Sequence, residues 1–204
     1  MRLEPFTLVG THVQLVPLTR DHAPQLLAAA TADRDSFGYT VVPDDLPTMI
    51  AYIDGLLADT ERDNLVPFAQ LRLADGAPVG CTRFMNLAWW AGRETPAEVE
   101  IGGTWLAAAA QRTVLNTEAK LLLLTHAFEQ WQVFRVAICT DAANDQSRRA
   151  IERIGAQFEG VMRRHRPSAG RFGIPGQARD SALYSITDHE WPTIRDTLRS
   201  RLDG

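Results

Sequence analysis

A single α/β domain with a mixed sheet is predicted by three observations. Short alternating apolar stretches of strand length recur along the chain, Ala/Leu-rich helical stretches separate them, and one late strand is apolar on both faces. The last is how a strand in a parallel crossover reads, because burial on two sides removes the polar alternation. At 204 residues, 45% of them apolar, the chain is long enough to close one core, and a single domain over residues 1–204 is expected. The expected order is β-α-α-β-β-β-α-β-α-β-β-α, about seven strands with helices on both faces.

Residues 12–18 alternate as a first strand, and Thr19-Arg20-Asp21 leads into a helix over residues 24–31, with Pro24 tolerated in its first turn. Residues 33–64 are acidic, with Asp33, Asp35, Asp44, Asp45, Asp54, Asp59, Glu61 and Asp63 facing only Arg34 and Arg62. Within that segment residues 47–60 carry Ile50, Ile53, Leu56 and Leu57 at helical spacing. Residues 66–73 and 78–87 form a hairpin around Ala74-Asp75-Gly76, where the glycine supplies a positive φ. After the loop of residues 89–96, which exposes Trp89 and Trp90, comes the central stretch of residues 98–131. It opens as a strand, Val99 and Ile101 alternating with Glu98 and Glu100, and Gly102-Gly103 then interrupts the pleat where a bulge is expected. It closes as a helix so rich in leucine that most of its circumference must be buried, with His126 a core or interface histidine.

Between strand and helix, residues 111–116 form a short polar loop with Asn116 as the expected N-cap. Unpaired N–H groups and the helix dipole make such a corner an anion site. Residues 135–141 are the doubly buried strand. Asn144 opens a short helix that Gly155 stops, residues 156–166 and 181–186 are a last strand pair joined by a Gly/Pro-containing loop, and residues 190–202 form a closing amphipathic helix.

Composition narrows the function. A net charge of −4 argues against general nucleic-acid binding. No apolar run reaches the length of a membrane span and no signal core opens the chain, so a cytoplasmic location is expected. Cys81 and Cys139 lie in apolar strand-like runs and are expected as buried thiols; no metal site is expected. The 21 basic residues include a single lysine, Lys120.

Several residue groups together resemble the GNAT superfamily of CoA-dependent N-acetyltransferases, in the branch of the ribosomal-protein N-terminal alanine and serine acetyltransferases. They are Glu100-Ile101-Gly102, Trp105-Leu106, Thr117-Glu118-Ala119-Lys120, His126-Ala127-Phe128, Asn144 with Ser147, Arg153-Ile154-Gly155-Ala156, Tyr184-Ser185-Ile186 and Glu190-Trp191-Pro192. The resemblance implies a GNAT-like fold and acetyl transfer from acetyl-CoA to a primary amine, on a small molecule, an amino acid or a peptide. It also implies that Trp105, Leu106, Ala107, Gln111, Arg112, Thr113, Val114, Leu115, Asn116, Thr117, Asn144, Ser147 and Arg148 contact CoA. Two departures stand out. Val114 and Asn116 occupy the places of the family's phosphate-loop glycines, and a β-branched residue resists positive φ, so the loop is expected to be strained or built differently. Ile151 stands where many members place a tyrosine acid, and Glu118 is expected to compete with the phosphates for the helix dipole.

Acetyl transfer needs an unprotonated amine, donors for the thioester oxygen and a proton for the leaving thiolate. Glu100 is the candidate base, with Glu98 on the same face, and Ser147 the candidate acid, oriented by Asn144. The acidic wall of residues 33–64 suits a cationic amine, and Arg148 or Arg149 suits the adenosine phosphate. A catalytically weak acyl-CoA- or partner-binding protein on the same fold is the alternative. Trp89, Trp90 and the late loop could support a homodimer.

Overall fold

A computed structural model describes residues 3–62 and 65–203; Asp63 and Asn64, the end of the acidic segment, lie outside the described residues. Its strands are β1 (Leu8–Val9), β2 (Val13–Pro17), β3 (Leu65–Arg72), β4 (Pro78–Ala88), β5 (Glu98–Leu106), β6 (Arg135–Asp141), β7 (Gln157–Pro167) and β8 (Ala178–Thr187). The helices are α1 (Ala23–Thr31), α2 (Leu46–Thr60), α3 (Val114–Thr125), α4 (Asp145–Arg153) and α5 (Trp191–Asp203), and α3 runs on into a π-helical turn over His126–Gln130. This is the mixed α/β fold and element order read from the sequence, with the two-residue β1 added at one edge.

One sheet holds all eight strands in the order β1-β2-β3-β4-β5-β6-β8-β7. Every neighbouring pair is antiparallel except β5 and β6. Helices α1 and α2 cover one face, where Leu26, Met49 and Ile53 pack on Ala69, Cys81 and Trp105. Helices α3, α4 and α5 cover the other, where Leu123, Leu124, Ile151 and Leu198 meet Val99, Ile138 and Tyr184. Cys81 and Cys139 are free thiols, Cys81 buried and pushed up to about 12 by that burial, Cys139 half-buried.

The expected break in the central strand is a bulge. Cys81 faces Trp105 and Arg83 faces Gly102, so Thr82 alone opposes both Gly103 and Thr104. Gly103 takes φ +56, a conformation that favours glycine, and the Arg83 guanidinium lies over its bare Cα.

Helix α3 begins three residues earlier than expected. Thr113 is its N-cap, its Oγ1 accepting from Leu115 N at 3.3 Å and donating to Ala110 O at 2.7 Å, while Asn116 lies inside the first turn. The hydroxyl of Thr113 prevails because the chain turns at Arg112, which takes the left-handed conformation (φ +58). Val114 is therefore helical, and the steric objection raised by its β-branch does not arise.

Glu118 is buried and points away from the helix start. Its Oε1 accepts from Thr11 N at 2.7 Å, and its Oε2 accepts from His12 N and Val13 N at 2.7 and 2.8 Å. The expected competition with phosphate gives way to an anchor for the β1–β2 hairpin, because three unpaired backbone donors satisfy a buried carboxylate better than a dipole alone. Glu118→Ala is expected to cost about 3 kcal/mol or more of unfolding free energy, read by urea denaturation, because it removes three charge-assisted hydrogen bonds and strands the buried Val13 N–H.

Candidate active site

Strands β5 and β6 pair over three residues only, Glu98 with Arg135, Val99 with Val136 and Glu100 with Ala137. Beyond Glu100, β5 continues along β4 as far as Leu106 opposite Gly80, while β6 continues along β8 to Asp141 opposite Ser181. The two strands thus part company at Glu100. The β5 edge of residues 101–106 has no strand partner on its β6 side, and the Gly103 bulge lies along it.

At the far end of that edge, Ala107 N donates to Val79 O, Ala108–Ala110 makes a 3-10 turn, and Gln111 Nε2 donates back to Leu106 O at 2.9 Å, so Gln111 shapes the loop with its own side chain. Trp105 and Leu106 are buried on opposite faces and Leu115 is a core residue. Arg112, Thr113, Val114, Asn116 and Thr117 line a polar cleft of about 300 Å³ that also takes in Arg153 of α4 and Arg201 of α5. Three arginines therefore line one cleft at the start of α3. The Arg201 side chain is steadied by a hydrogen bond to Arg153 O.

Glu100 is buried where the strands part. Its Oε2 accepts from Asn86 Nδ2 at 2.7 Å and from Arg166 Nη2 at 2.6 Å, while Oε1 is buried without a partner. Glu98 is spoken for separately by Arg135 Nη1 at 2.6 Å, and Arg135 also bonds Glu159. The two carboxylates share a face, as their alternation requires, yet each has its own arginine. Beside them Cys139 Sγ lies 3.9 Å from His165 Nδ1. Burial raises the thiol above its ordinary range and holds the imidazole below its own, so this pair is not a thiolate–imidazolium couple.

Helix α4 follows β6 directly and packs against it. Asn144 caps it, Oδ1 accepting from Ser147 N at 3.0 Å, and Ser147 is half-buried in its first turn. Arg148 turns inward, its Nε donating to the Tyr184 hydroxyl at 3.1 Å and its Nη1 to Ala142 O at 3.3 Å. Arg149 is exposed. The Tyr184 hydroxyl in turn donates to Glu152 at 3.0 Å, and Ile151 is buried in the core. His126 is half-buried, stacked on Phe6 with ring centroids 4.0 Å apart, and burial holds its ring down to about 4.

The acidic segment is largely consumed by local structure. Asp33 caps a 3-10 turn, Asp45 caps α2, Asp35 pairs with Arg171, Asp54 with Arg20 and Asp59 with Arg62. The pair with Arg171 reaches farthest along the chain, since Arg171 and Phe172 bring the β7–β8 loop onto Gly38 and Tyr39. Sequence reasoning did not find Asn86, Arg166, Arg153 or Arg201 as neighbours of the site. They reach it from β4, β7, α4 and α5, and only pairings far apart in the chain bring them there.

Residues 12–157 match the family described as "Acetyltransferase (GNAT) domain". A Bacillus subtilis (strain 168) protein provisionally named the ribosomal N-acetyltransferase YdaF is 32% identical over 145 residues, covering 66% of this chain and 73% of that one. A structure from T. thermophilus provisionally described as an acetyltransferase superposes with TM-score 0.80 at 32% identity over 99% of this chain and 100% of that one. A GCN5-related N-acetyltransferase from Brucella melitensis gives TM-score 0.83 at 25% identity over 98% and 86%. With the family match spanning most of its length and a split sheet and basic cleft arranged as described, the chain belongs to the GNAT acetyltransferases.

Proposed function

We propose that the protein transfers an acetyl group from acetyl-CoA to a primary α-amine at the end of a peptide or protein. The observation that carries this reading is the parting of β5 and β6 at Glu100, which leaves one strand edge free between a buried carboxylate and a basic cleft.

The residues suit the cosubstrate. Its diphosphate would lie at the start of α3, where unpaired N–H groups and Arg112, Arg153 and Arg201 supply donors and positive charge. Its pantetheine arm is itself amide-bearing and suits the unpaired edge of β5, in the manner of an added strand. The thioester supplies the activated acetyl group. Backbone N–H groups at the Gly103 bulge would polarise its carbonyl. Glu100 accepts the amine proton through Oε1, the one oxygen that Arg166 and Asn86 leave free. Ser147, at the capped start of α4, stands toward the leaving thiolate, with Asn144 fixing the turn that holds it. The protein-terminus reading of the acceptor is supported by the name of the Bacillus subtilis relative. It is also supported by the β7–β8 loop packed on Gly38 and Tyr39, which narrows the approach from the α1–α2 side.

Calorimetric titration with acetyl-CoA is the first test. Binding followed by thiol release with an amine-terminal peptide panel supports the enzyme reading. Binding without turnover identifies an acyl-CoA-binding protein instead, and a chain that does not bind has neither role. Arg153→Ala and Arg201→Ala are each expected to weaken CoA binding about tenfold, the size of one charge-assisted contact. Glu100→Gln is expected to lower kcat about 10²-fold while leaving CoA affinity near that of the unaltered protein. Ser147→Ala should lower kcat more than it weakens CoA binding, and an unchanged kcat retires Ser147 as the proton source.

A further inference from the structure

The chain has one lysine, and it is buried. Lys120 lies in the second turn of α3 with 7% of its surface exposed, and its Nζ donates to Thr104 Oγ1 at 2.8 Å. Thr104 belongs to the β5 bulge and shares a further hydroxyl contact with Thr82 at 2.8 Å. Among the described residues no carboxylate pairs with the amine. The charged groups on the neighbouring elements face elsewhere: Glu118 of α3 holds the backbone of residues 11–13, Arg83 of β4 lies against Gly103, and Glu100 of β5 holds Arg166. Burial alone accordingly pushes the Lys120 amine down to about 7, with no neighbouring charge contributing.

A second polar group on the same helix is also unmatched. Asn116, four residues earlier and so on the same side of α3, has a buried Oδ1 with no hydrogen-bond partner, and it lines the basic cleft. Asn116, Lys120 and Thr104 thus mark a polar line from the cleft to the bulge, under a helix whose other buried residues are leucine, alanine and the fully engaged Glu118. An ammonium ion taken from water without an anion is among the least favourable burials known, and proteins meet it by shedding the proton or supplying the anion. Here the anion is not on the protein.

We propose that Lys120 is the buried counter-charge for CoA: its amine stands beside the bulge without an anion in the free protein and holds a proton when the anionic cosubstrate occupies the groove. The inference rests on the CoA reading given above and extends it to a residue one turn inside the helix. Binding then takes up a proton, and affinity for CoA falls as pH rises through the range in which free Lys120 is already neutral. The negative charges of CoA supply the electrostatic attraction that the protein withholds, which raises the amine's titration midpoint by about one pH unit or more.

Because no other lysine is present, the protein carrying ¹³Cε-labelled lysine gives one side-chain signal to follow. Its midpoint is expected near 7 in the free protein and at least about one unit higher with saturating CoA. Calorimetry at pH 8 in two buffers of different ionisation enthalpy should show net proton uptake on CoA binding. Lys120→Met should abolish that uptake and weaken CoA about tenfold, the loss of one charge-assisted contact. The same variant should keep the fold. It should also lose the rise in Tm between pH 7 and 10 that follows when the folded state binds one proton fewer than the unfolded chain. CoA binding with an unmoved lysine midpoint, or equal proton uptake in Lys120→Met, overturns the role of Lys120 and leaves the CoA reading standing. Absence of CoA binding by the unaltered chain overturns both.

Discussion

The parallel contact between β5 and β6 is three residue pairs long, and the site exists because it stops there. Strands that stayed zipped to Leu106 would seal the sheet, as they do elsewhere in this fold. Parting them leaves backbone donors and acceptors without partners on an inner edge, which a folded protein tolerates only where water or a ligand completes them. Several other features can be read as supports for that opening. The Gly103 bulge bends β5, the β6–β8 ladder draws β6 the other way, and Arg166 reaches across from β7 to hold Glu100 where the two strands separate. The polar atoms left unmatched nearby, Glu100 Oε1 and Asn116 Oδ1, lie along the same opening.

Most of the fold was legible from local patterns. The leucine-rich run of α3, the doubly apolar β6, the Asn144 cap and the Gly155 stop are all written over a few adjacent residues, and each is where the pattern puts it. The start of α3 was not legible, because Thr113 and Asn116 are both good caps and the choice depends on Arg112 accepting a left-handed turn. The worry over Val114 followed from transferring a glycine's conformation to a residue that, here, is simply the first of a helix. For the candidate site the limit is different in kind. Glu100, Ser147 and the polar loop stand out by residue type, but whether a carboxylate is free or paired depends on Arg166, 66 residues away, which no window of sequence joins to it.

Much of the charge in this protein is taken up in caps and pairs. The acidic segment reads as a single field in the sequence, yet Asp33 and Asp45 are caps and Asp35, Asp54 and Asp59 are each paired with an arginine. The arginines divide likewise. Arg135 is paired with Glu98 and Glu159 and Arg166 with Glu100, whereas Arg112, Arg153 and Arg201 line an open cleft. Counting residues of one sign gives the composition of a surface; only the pairing gives its field.

The near-total use of arginine for positive charge has a chemical result of its own. Guanidinium groups stay protonated at any physiological pH and do not attack thioesters, whereas lysine amines do so slowly and without a catalyst. With its one lysine enclosed between α3 and the sheet, the exterior of the folded protein presents no lysine amine to an acyl thioester. The charged side chains of its basic surface are thereby poor nucleophiles toward such compounds.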